Sequence, residues 1–370
     1  MRVLFLAPLP PPITGHSLAS RIFLDGLSKA HETAVVNLSV GSTHDGTVTG
    51  RRIVEVAKLL RDVWRQKRAA DVIYLTISES VAGNIKDLAI YLLCWPRLST
   101  TFIHLHGGSI KKLLFDRYRM FERINAMFIR RMGGVIVSGR AHEHIFAKVI
   151  DPQRIHIVPN FAQDGLFVNE QQVVEKFADV EPLRVLYMSG MTEAKGYQYL
   201  ADAYASLSSE LRRKVRFDFA GKFDSEAEKR RFLARIADYP GMQYHGLVDE
   251  GQKQFLFSKA HVFCLPTSML EGQPISILEA YASGCVVLTT GQDGIRDVFT
   301  HGVNGLEFEA RSTPSLGAAL QALVADGGAL LPIALRNRNT ADARYRTSSY
   351  NTALTRILES AAPRSRGEMR

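Results

Sequence analysis

The hydrophobic positions of this chain fall into short runs that alternate with amphipathic segments. Residues 3–7 and 185–188 are apolar runs that lead into turns containing proline or glycine. A segment with helical periodicity follows each of them, at residues 18–27 and 197–207. Strands that are apolar on both faces are typical of parallel sheets covered by helices. The pattern therefore predicts an α/β protein.

Further strand-like runs recur along both halves of the chain. They are residues 33–38, 72–77, 101–105, 135–137 and 155–158, followed by 215–220, 243–244, 262–265 and 286–289. Two such arrays in series predict two doubly wound, Rossmann-like domains with parallel sheets. A polar run at Asn169–Gln172 suggests a linker, so we place the domains at residues 1–170 and 171–344.

Composition agrees with an ordinary globular protein of two domains. The chain has 370 residues, of which 46% are hydrophobic and 22% charged, so disordered, collagen-like and coiled-coil proteins are excluded. Its three cysteines lie in apolar runs and lack the spacing of a disulfide framework or a metal site. The apolar run 88–95 is far shorter than the roughly 20 residues of a membrane-spanning helix. These features predict a cytoplasmic protein without a signal peptide.

The basic charge is concentrated in the first half of the chain. The formal net charge is +9, and residues 1–180 hold 23 Lys and Arg against 16 Asp and Glu. An excess of this kind favours an anionic partner, which is a membrane surface, a nucleic acid or an anionic acceptor.

The segment from Leu265 to Gly284 carries the most informative motif. Pro274 suits a first helical turn and Gly284 a C-terminal cap, which predicts a helix over 275–283. Glu271 then precedes a helix N-terminus that can bind a diphosphate, and Glu279 lies two turns further on. In the simpler interpretation, Glu271 only complements the helix dipole and Glu279 is solvated. The Gly-x-Pro context favours a site that grips sugar hydroxyls.

Three other segments contain candidate binding residues. Lys195 follows a strand and a glycine turn, which would suit a phosphate contact, although no P-loop or G-x-G-x-x-G is present. His104 and His106 point to one side of a strand that ends in two glycines, which makes His106 the better pocket candidate. Metal binding by this pair lacks a third ligand. Gly15 permits close approach of a ligand before a helix starting near Ser17, or it belongs to an ordinary turn.

Together these segments resemble glycosyltransferase family 4, the retaining nucleotide-sugar transferases of GT-B architecture, whose two domains face a cleft. The family signature E-x7-E matches Glu271 and Glu279 in context, and the resemblance continues through Gly294–Val298 and Gly302–Leu306. It also covers Val158–Asn160, so most of the chain is included. A helix at about 345–362 resembles the last GT-B helix, which packs back on the first domain.

The resemblance implies a role for each matching position. It assigns Glu279 to the ribose, Lys195 to the diphosphate and His106 to the reacting sugar. It assigns Gly15 to a loop over the donor phosphate. The transferred sugar is assigned to Glu271 and to the segment Gly272, Gln273, Pro274 and Ile275. It implies no metal and no cofactor besides the nucleotide-sugar, a UDP- or GDP-sugar.

The chain departs from the family where an Arg usually contacts the diphosphate, since these positions hold Ser189 and Gly190. Arg140 or Arg296 are candidates to replace it.

Two basic helices add a hypothesis about the membrane. Residues 51–68 place Arg51, Lys58, Arg61, Arg65 and Arg68 on one face, and Ile53, Val56, Ala57, Leu60, Val63 and Trp64 on the other. A second basic helix carries Lys111, Lys112, Arg117, Arg119, Arg123, Arg130 and Arg131. An anionic bilayer attracts such residues by about 1 kcal/mol each. The alternative is a solvated basic face over ordinary core.

The leading interpretation is a retaining glycosyltransferase that moves a sugar to a glycan or lipid-linked acceptor in bacterial-type cell-surface polysaccharide or lipopolysaccharide biosynthesis. We expect a cytoplasmic enzyme that binds no nucleic acid, with peripheral attachment to the inner face of the membrane as a variant of this hypothesis. The alternatives are a nucleotide-sugar epimerase, a phosphorylase, or a non-catalytic basic membrane adaptor. The missing dinucleotide fingerprint disfavours an oxidoreductase.

Overall fold

The computed structural model describes residues 1–39 and 50–361 and divides into two compact units. Unit 1 comprises residues 1–160, Glu271–Gln273 and the chain from Ser348 onward. Its elements are β1 (Arg2–Ala7), α1 (Gly15–Leu27), β2 (Glu32–Asn37), α2 (Gly50–Gln66), β3 (Val72–Thr76), α3 (Val81–Leu93), β4 (Thr101–Leu105), α4 (Arg119–Ile129), β5 (Gly134–Val137), α5 (Glu143–Phe146) and β6 (Ile155–Ile157).

Unit 2 comprises residues 161–270 and 274–347. Its elements are α6 (Glu170–Lys176), β7 (Leu183–Met188), α7 (Tyr197–Ser206), α8 (Ser209–Arg213), β8 (Val215–Ala220), α9 (Glu226–Ile236), β9 (Met242–Gly246), α10 (Glu250–Lys259), β10 (Val262–Leu265), α11 (Ile275–Ala282), β11 (Val286–Thr290), α12 (Asp293–Arg296), β12 (Gly305–Phe308), α13 (Thr313–Ala325) and α14 (Leu330–Arg344). A last helix, α15 (Thr347–Glu359), falls almost entirely in unit 1.

Each unit is built on a six-stranded parallel sheet whose central strands are buried. The strand order is β2-β1-β3-β4-β5-β6 in unit 1 and β12-β11-β10-β7-β8-β9 in unit 2. The order reverses between β1 and β3 in the first sheet and between β7 and β10 in the second. Ligands of open α/β sheets bind at the carboxyl ends of the strands beside such a switch point. The α/β fold class with two doubly wound sheets is confirmed.

The structure divides the chain between Asn160 and Phe161, ten residues before the predicted boundary of 170/171. Ala162 and Leu166 are buried in the core of unit 2, and the backbone N–H of Ala162 donates to the carbonyl of Tyr345 at 2.8 Å. The polar run that suggested a linker instead starts a helix. The side chain of Asn169 caps α6.

Helix α15 packs within unit 1. The ring of Tyr350 lies edge-on to Phe23 of α1 at 6.4 Å between ring centroids, and His31 Nε2 lies 3.0 Å from Glu359 Oε1. The helix is shorter than the predicted segment 345–362, whose last residue lies outside the described part of the chain.

Several local elements differ from the sequence predictions. The short edge strand β12 was not predicted, because its alternation is too brief and contains a glycine and a glutamate. Helix α1 begins at Gly15, before Ser17, since Thr14 caps it and Ser17 reaches back to the Thr14 backbone N–H. The second basic helix is two pieces, a helical turn at Lys111–Phe115 and α4.

The predicted apolar face of α2 is only partly core. Val63 is buried and Val56 and Leu60 are half-buried, whereas Ile53, Ala57 and Trp64 are exposed. The side chain of Arg51, which belongs to the predicted basic face, lies outside the described part of the structure.

Within the described residues, no single helix is long and apolar enough to cross a membrane. A bent pair, Thr313–Ala325 with Gly327–Glu359, passes the length and composition test together, with an angle of 84° between its parts.

Candidate functional site

In unit 1, three histidine rings gather at the carboxyl ends of β1 and β4. His106 lies between His104, at 3.9 Å between ring centroids, and His16 of α1, at 4.5 Å. The hydroxyl of Tyr74 on β3 is 2.6 Å from His104 Nδ1. Alternation along β4 correctly predicts that His104 and His106 share a side, whereas nothing local in the sequence indicates that His16 joins them.

Burial keeps these imidazoles neutral. It lowers the pKa of His16 to about 4, with a smaller contribution from the charge of Lys86. It lowers the pKa of His104 to about 3, and that of His106 well below its usual value. A neutral imidazole offers one donor and one acceptor nitrogen, so the cluster is suited to hydrogen bonding with uncharged hydroxyl groups.

Close backbone contacts join the loop after β4 to the segment Glu271–Gln273 within unit 1. A Cβ on Gly272 would lie 1.9 Å from the carbonyl oxygen of His106, and a Cβ on Gly108 would lie 2.4 Å from the carbonyl oxygen of Glu271. Only glycine fits at these two positions without displacing backbone. The structure therefore brings two predicted site residues, His106 and Glu271, into one cluster.

The side chain of Gln273 is engaged inside unit 1. Its Oε1 accepts from the backbone N–H of Asn160 at 2.6 Å, and the Asn160 amide donates to the Gln273 carbonyl at 2.8 Å. Gln273 thus anchors the segment that holds Glu271.

Glu79 is a member of this cluster that the sequence analysis missed. Its carboxylate accepts from the backbone N–H groups of Ser109 at 2.5 Å and Ile110 at 2.8 Å. Burial raises the pKa of Glu79, these two hydrogen bonds oppose the rise, and the charge of Glu271 adds to it. The available signal was its position, since an acid three residues after the end of β3 lies near the switch point of the sheet.

In unit 2, the loops after β7 and β10 meet at the other switch point. The backbone N–H of Ser268 donates to the Ala194 carbonyl at 2.8 Å. Gly196 has a positive φ of 79°, and a Cβ there would lie 2.1 Å from the Pro266 carbonyl oxygen. Half-buried Lys195 therefore sits on a turn whose backbone is fixed against the loop that leads to α11.

The N-terminus of α11 forms as predicted. Pro274 takes the N-cap position, Ile275 begins the helix, and Gly284 follows its end with a φ of 61°. The first-turn N–H groups of such a helix favour anions.

Glu279 is buried inside unit 2 and paired with a lysine. Its side chain is only 4% exposed, and its Oε1 lies 2.5 Å from Lys253 Nζ. Lys253 also donates to Gln163 Oε1 at 2.6 Å. Burial raises the pKa of Glu279, and Lys253 opposes the rise. This excludes the interpretation of Glu279 as a solvated helix residue; the pairing with Lys253 was not foreseen, because 26 residues separate the two.

Three candidates remain. Gly15 is exposed as the first residue of α1 and directly precedes His16 of the histidine cluster. Arg296 donates to the Gly291 carbonyl at 3.0 Å and faces Glu307, so it is held by its own loop. Arg140 is exposed in unit 1. Over residues 1–39 and 50–361, no group of three or more His, Cys, Asp or Glu side chains is arranged as a metal site.

Comparisons with known proteins bear on this arrangement. Residues 182–326 match the family described as Glycosyl transferases group 1. A curated relative, the amylovoran biosynthesis glycosyltransferase AmsK of Erwinia amylovora, is 24% identical over 187 residues. That match covers 49% of this chain and 46% of AmsK, so it spans about half of each protein.

Solved structures share the fold along most of the chain. HepE of Anabaena, in complex with UDP and glucose, aligns with a TM-score of 0.72 and 17% identity, covering 97% of this chain and all of HepE. WaaG, described as a glycosyltransferase involved in lipopolysaccharide biosynthesis, aligns with a TM-score of 0.67 and 16% identity, covering 96% of this chain and 99% of WaaG. The resemblance to glycosyltransferases of GT-B type is confirmed.

Proposed function

We propose, because residues 182–326 match the family described as Glycosyl transferases group 1, that this protein is a retaining glycosyltransferase. It takes a sugar from a nucleotide-sugar and passes it to a glycan or lipid-linked acceptor. The observation that carries the proposal is the junction of the Lys195 loop with the loop after β10 at the switch point of unit 2.

That junction has the chemistry of a diphosphate site. Lys195 supplies a point charge, and α11 supplies the backbone N–H groups at its start, those of Ile275 and Ser276. Buried Glu279 supplies a carboxylate that accepts from ribose hydroxyls. These groups can stabilise a departing nucleoside diphosphate without a metal ion.

The cluster in unit 1 has the chemistry of a sugar site. Neutral His106 and the carboxylate of Glu271 offer hydrogen bonds to hydroxyl groups, and the glycine contacts fix both in place. In the proposed front-face reaction the bond from the anomeric carbon to the diphosphate breaks. The acceptor oxygen bonds to the same face, and its proton passes to the departing phosphate. His106 and Glu271 orient the sugar, and no protein nucleophile is needed.

The relatives support a donor class and a setting. HepE was solved with UDP and glucose, which favours a UDP-sugar over a GDP-sugar here. The descriptions of AmsK and WaaG favour cell-surface polysaccharide biosynthesis.

The first experiment is thermal unfolding of the protein with UDP, GDP, ADP and their sugars, with and without a chelator. We expect a rise in Tm with one base that the chelator leaves unchanged. Lys195→Met should abolish the rise, whereas Lys222→Met, which removes an exposed lysine after the neighbouring strand β8, should leave it. No rise with any nucleotide would refute the proposal and favour the adaptor.

Turnover measurements distinguish the roles of Glu271 and Glu279 and test the alternative reactions. Glu279→Ala should mainly weaken donor binding, and Glu271→Ala should reduce kcat more than donor affinity. Unchanged kinetics in both variants would remove the site assignment. Conversion of the donor without an acceptor would indicate an epimerase, and dependence on inorganic phosphate would indicate a phosphorylase.

A surface of unit 1 supports membrane attachment as part of this function. Reciprocal hydrogen bonds between Asn84 and Asn125, at 3.1 and 2.9 Å, hold α3 against α4. These helices expose large apolar side chains: Ile85, Leu92, Met120 and Met127. The chain from the loop after β4 to the two residues that follow α4 also carries exposed basic residues: Lys111, Lys112, Arg117, Arg119, Arg123, Arg130 and Arg131. Exposed apolar side chains combined with cations are typical of an interface with an anionic bilayer.

Flotation with anionic phosphatidylglycerol vesicles tests this attachment. The wild type should float with these vesicles at low salt and remain behind with neutral ones. The pair Arg123→Glu and Arg130→Glu should stop flotation. The same charge change in α9 of unit 2, Arg230→Glu with Arg231→Glu, should not. Absence of flotation at low salt would refute the attachment.

A further inference from the structure

The Lys253–Glu279 pair lies in the interior of unit 2. The side chain of Glu279 is 4% exposed and that of Lys253 is 16% exposed. Lys253 Nζ touches Glu279 Oε1 at 2.5 Å and Gln163 Oε1 at 2.6 Å. Among the described residues, the hydrogen bonds of the Glu279 side chain involve Oε1 alone. Its second oxygen is therefore left for a ligand.

The other charged groups around α11 are engaged elsewhere. On α14, which packs along α11, Arg338 pairs with Asp342 of the same helix at 3.4 Å. Lys176 of α6 donates to the Ser283 carbonyl at 2.6 Å, beyond the end of α11. Strands β10 and β11 on either side carry no charged residue. Lys253 is thus the charged group that faces the Glu279 carboxylate.

We propose that Lys253 is a positioning residue of the donor site. It holds the buried Glu279 carboxylate ionised and oriented to accept hydrogen bonds from the ribose hydroxyls of a nucleoside diphosphate. The inference rests on the proposed function, because it assigns the ribose to Glu279.

The physical reason is the environment of the carboxylate. A buried carboxylate without a counter-ion takes up a proton near neutral pH, since burial disfavours its charged form. A protonated Glu279 would lose the charge that strengthens hydrogen bonds from the two hydroxyls. The Gln163 contact fixes the lysine, so the ammonium stays on one oxygen and leaves the other towards the ligand.

The test is UDP affinity by calorimetry at about pH 6 and about pH 8.5, with GDP if the Tm screen selects it. Removal of the ammonium raises the pKa of Glu279, so the variant should bind most weakly at the lower pH. The affinity of Lys253→Met for UDP should fall on going from the higher to the lower pH. This fall should be roughly tenfold larger than the change measured for the wild type. Lys253→Arg should restore the wild-type profile. Wild type measured in parallel removes the ligand's own titration.

A second background keeps the inference testable if Lys253→Met unfolds. Glu279→Gln and Glu279→Gln with Lys253→Met bury no unpaired carboxylate, and they should bind UDP with equal affinity. If the added Lys253→Met change weakens binding in this background, Lys253 contacts the ligand directly and the positioning role is wrong. The inference would also be overturned if Lys253→Met bound UDP with wild-type affinity at both pH values.

The outcome is separable from that of the proposed function. Failure of the wild type to bind any nucleotide refutes the proposed function itself. If the wild type binds UDP and 2′-deoxy-UDP with equal affinity, Glu279 does not contact the ribose hydroxyls. That result would overturn this inference and leave the proposed function standing.

Discussion

The two units share one construction and carry different side chains at their switch points. Both sheets are six-stranded and parallel, and both gather polar side chains where the strand order reverses. Unit 1 collects neutral imidazoles and close glycine backbones around His106, while unit 2 collects Lys195 and the Lys253–Glu279 pair. The fold therefore determines where a site forms, and the local side chains determine whether it suits hydroxyls or charged phosphate.

The difference lies in what accompanies burial. Burial lowers the pKa values of His16, His104 and His106, and the neighbouring charges lower them further, so these imidazoles are neutral. Glu279 is buried as deeply, but Lys253 lies beside it and opposes the loss of charge. A charge persists in a protein interior when a partner offsets its desolvation.

Lowering the pH should have the largest effect, because it should destabilise unit 1 more than unit 2. The pKa values of His16 and His104 are about 4 and about 3 in the fold, whereas an unfolded histidine titrates near 6.5. The stability they support is complete above about pH 6.5 and falls as pH decreases, because protons then bind the unfolded chain preferentially. Each costs about 2 kcal/mol at about pH 5. Unit 2 has one such histidine, His261, at about 4.

Hydrogen exchange of the two sheets at about pH 7 and about pH 5, corrected for intrinsic rates, measures this difference. Unit 1 should lose at least about 4 kcal/mol of protection, because the lowered pKa values of His106 and His156 add to the loss, and unit 2 should lose about 2. Acids with raised pKa values offset part of the loss in both units: Glu79 and Asp87 in unit 1, and Asp202 and Glu279 in unit 2. Equal losses in the two sheets would contradict the comparison.

A glycine substitution should separate the units functionally. Gly272→Ala places a Cβ 1.9 Å from the His106 carbonyl, so the loop or the Glu271 segment must shift. Turnover should fall about 100-fold, because displacement of a positioning group by about 1 Å has an effect of that size. The Tm rise with nucleotide should persist, since Lys195 and Glu279 belong to unit 2.

Gly50→Ala is the matched control. A Cβ at Gly50, the first residue of α2, meets nothing within 4 Å. This variant should keep both turnover and the nucleotide shift. Full turnover in Gly272→Ala would show that the His106 loop and the Glu271 segment need not be held together.

The sequence predicted what depends on neighbours along the chain. Alternating apolar runs predicted eleven of the twelve strands and missed only β12, an edge strand of four residues. Motif context singled out His106, Lys195, Glu271 and Glu279 as candidates, although their roles are still predictions.

Long-range contacts could not be predicted in the same way. Glu79 meets Ser109 across 30 residues, and Lys253 meets Glu279 across 26. Both are ordinary charged residues in sequence, and only the sheet order brings them to a switch point. The domain boundary was displaced for a related reason, since the burial of Ala162 and Leu166 in unit 2 is invisible in a local polar pattern.

The smallest effect is expected from loss of the hydrogen bond between Tyr74 and His104. Tyr74→Phe removes the hydroxyl that lies 2.6 Å from His104 Nδ1, and leaves that buried nitrogen without its partner. Unfolding in urea should show a loss of about 1–3 kcal/mol with an unchanged m value. The cost should be equal in low and high salt, because both groups are uncharged.

Tyr91→Phe is the control within the same unit. Tyr91 is as deeply buried as Tyr74, but among the described residues its hydroxyl has no hydrogen-bond partner. Its removal should leave stability unchanged or slightly increased, since no interaction is lost and a buried polar group disappears. If both variants lose the same stability, packing of the rings rather than the hydrogen bond supports the cluster. A salt-dependent loss in Tyr74→Phe alone would instead place a charge on the histidines, and the contrast between these neutral imidazoles and the ion pair of unit 2 would fail.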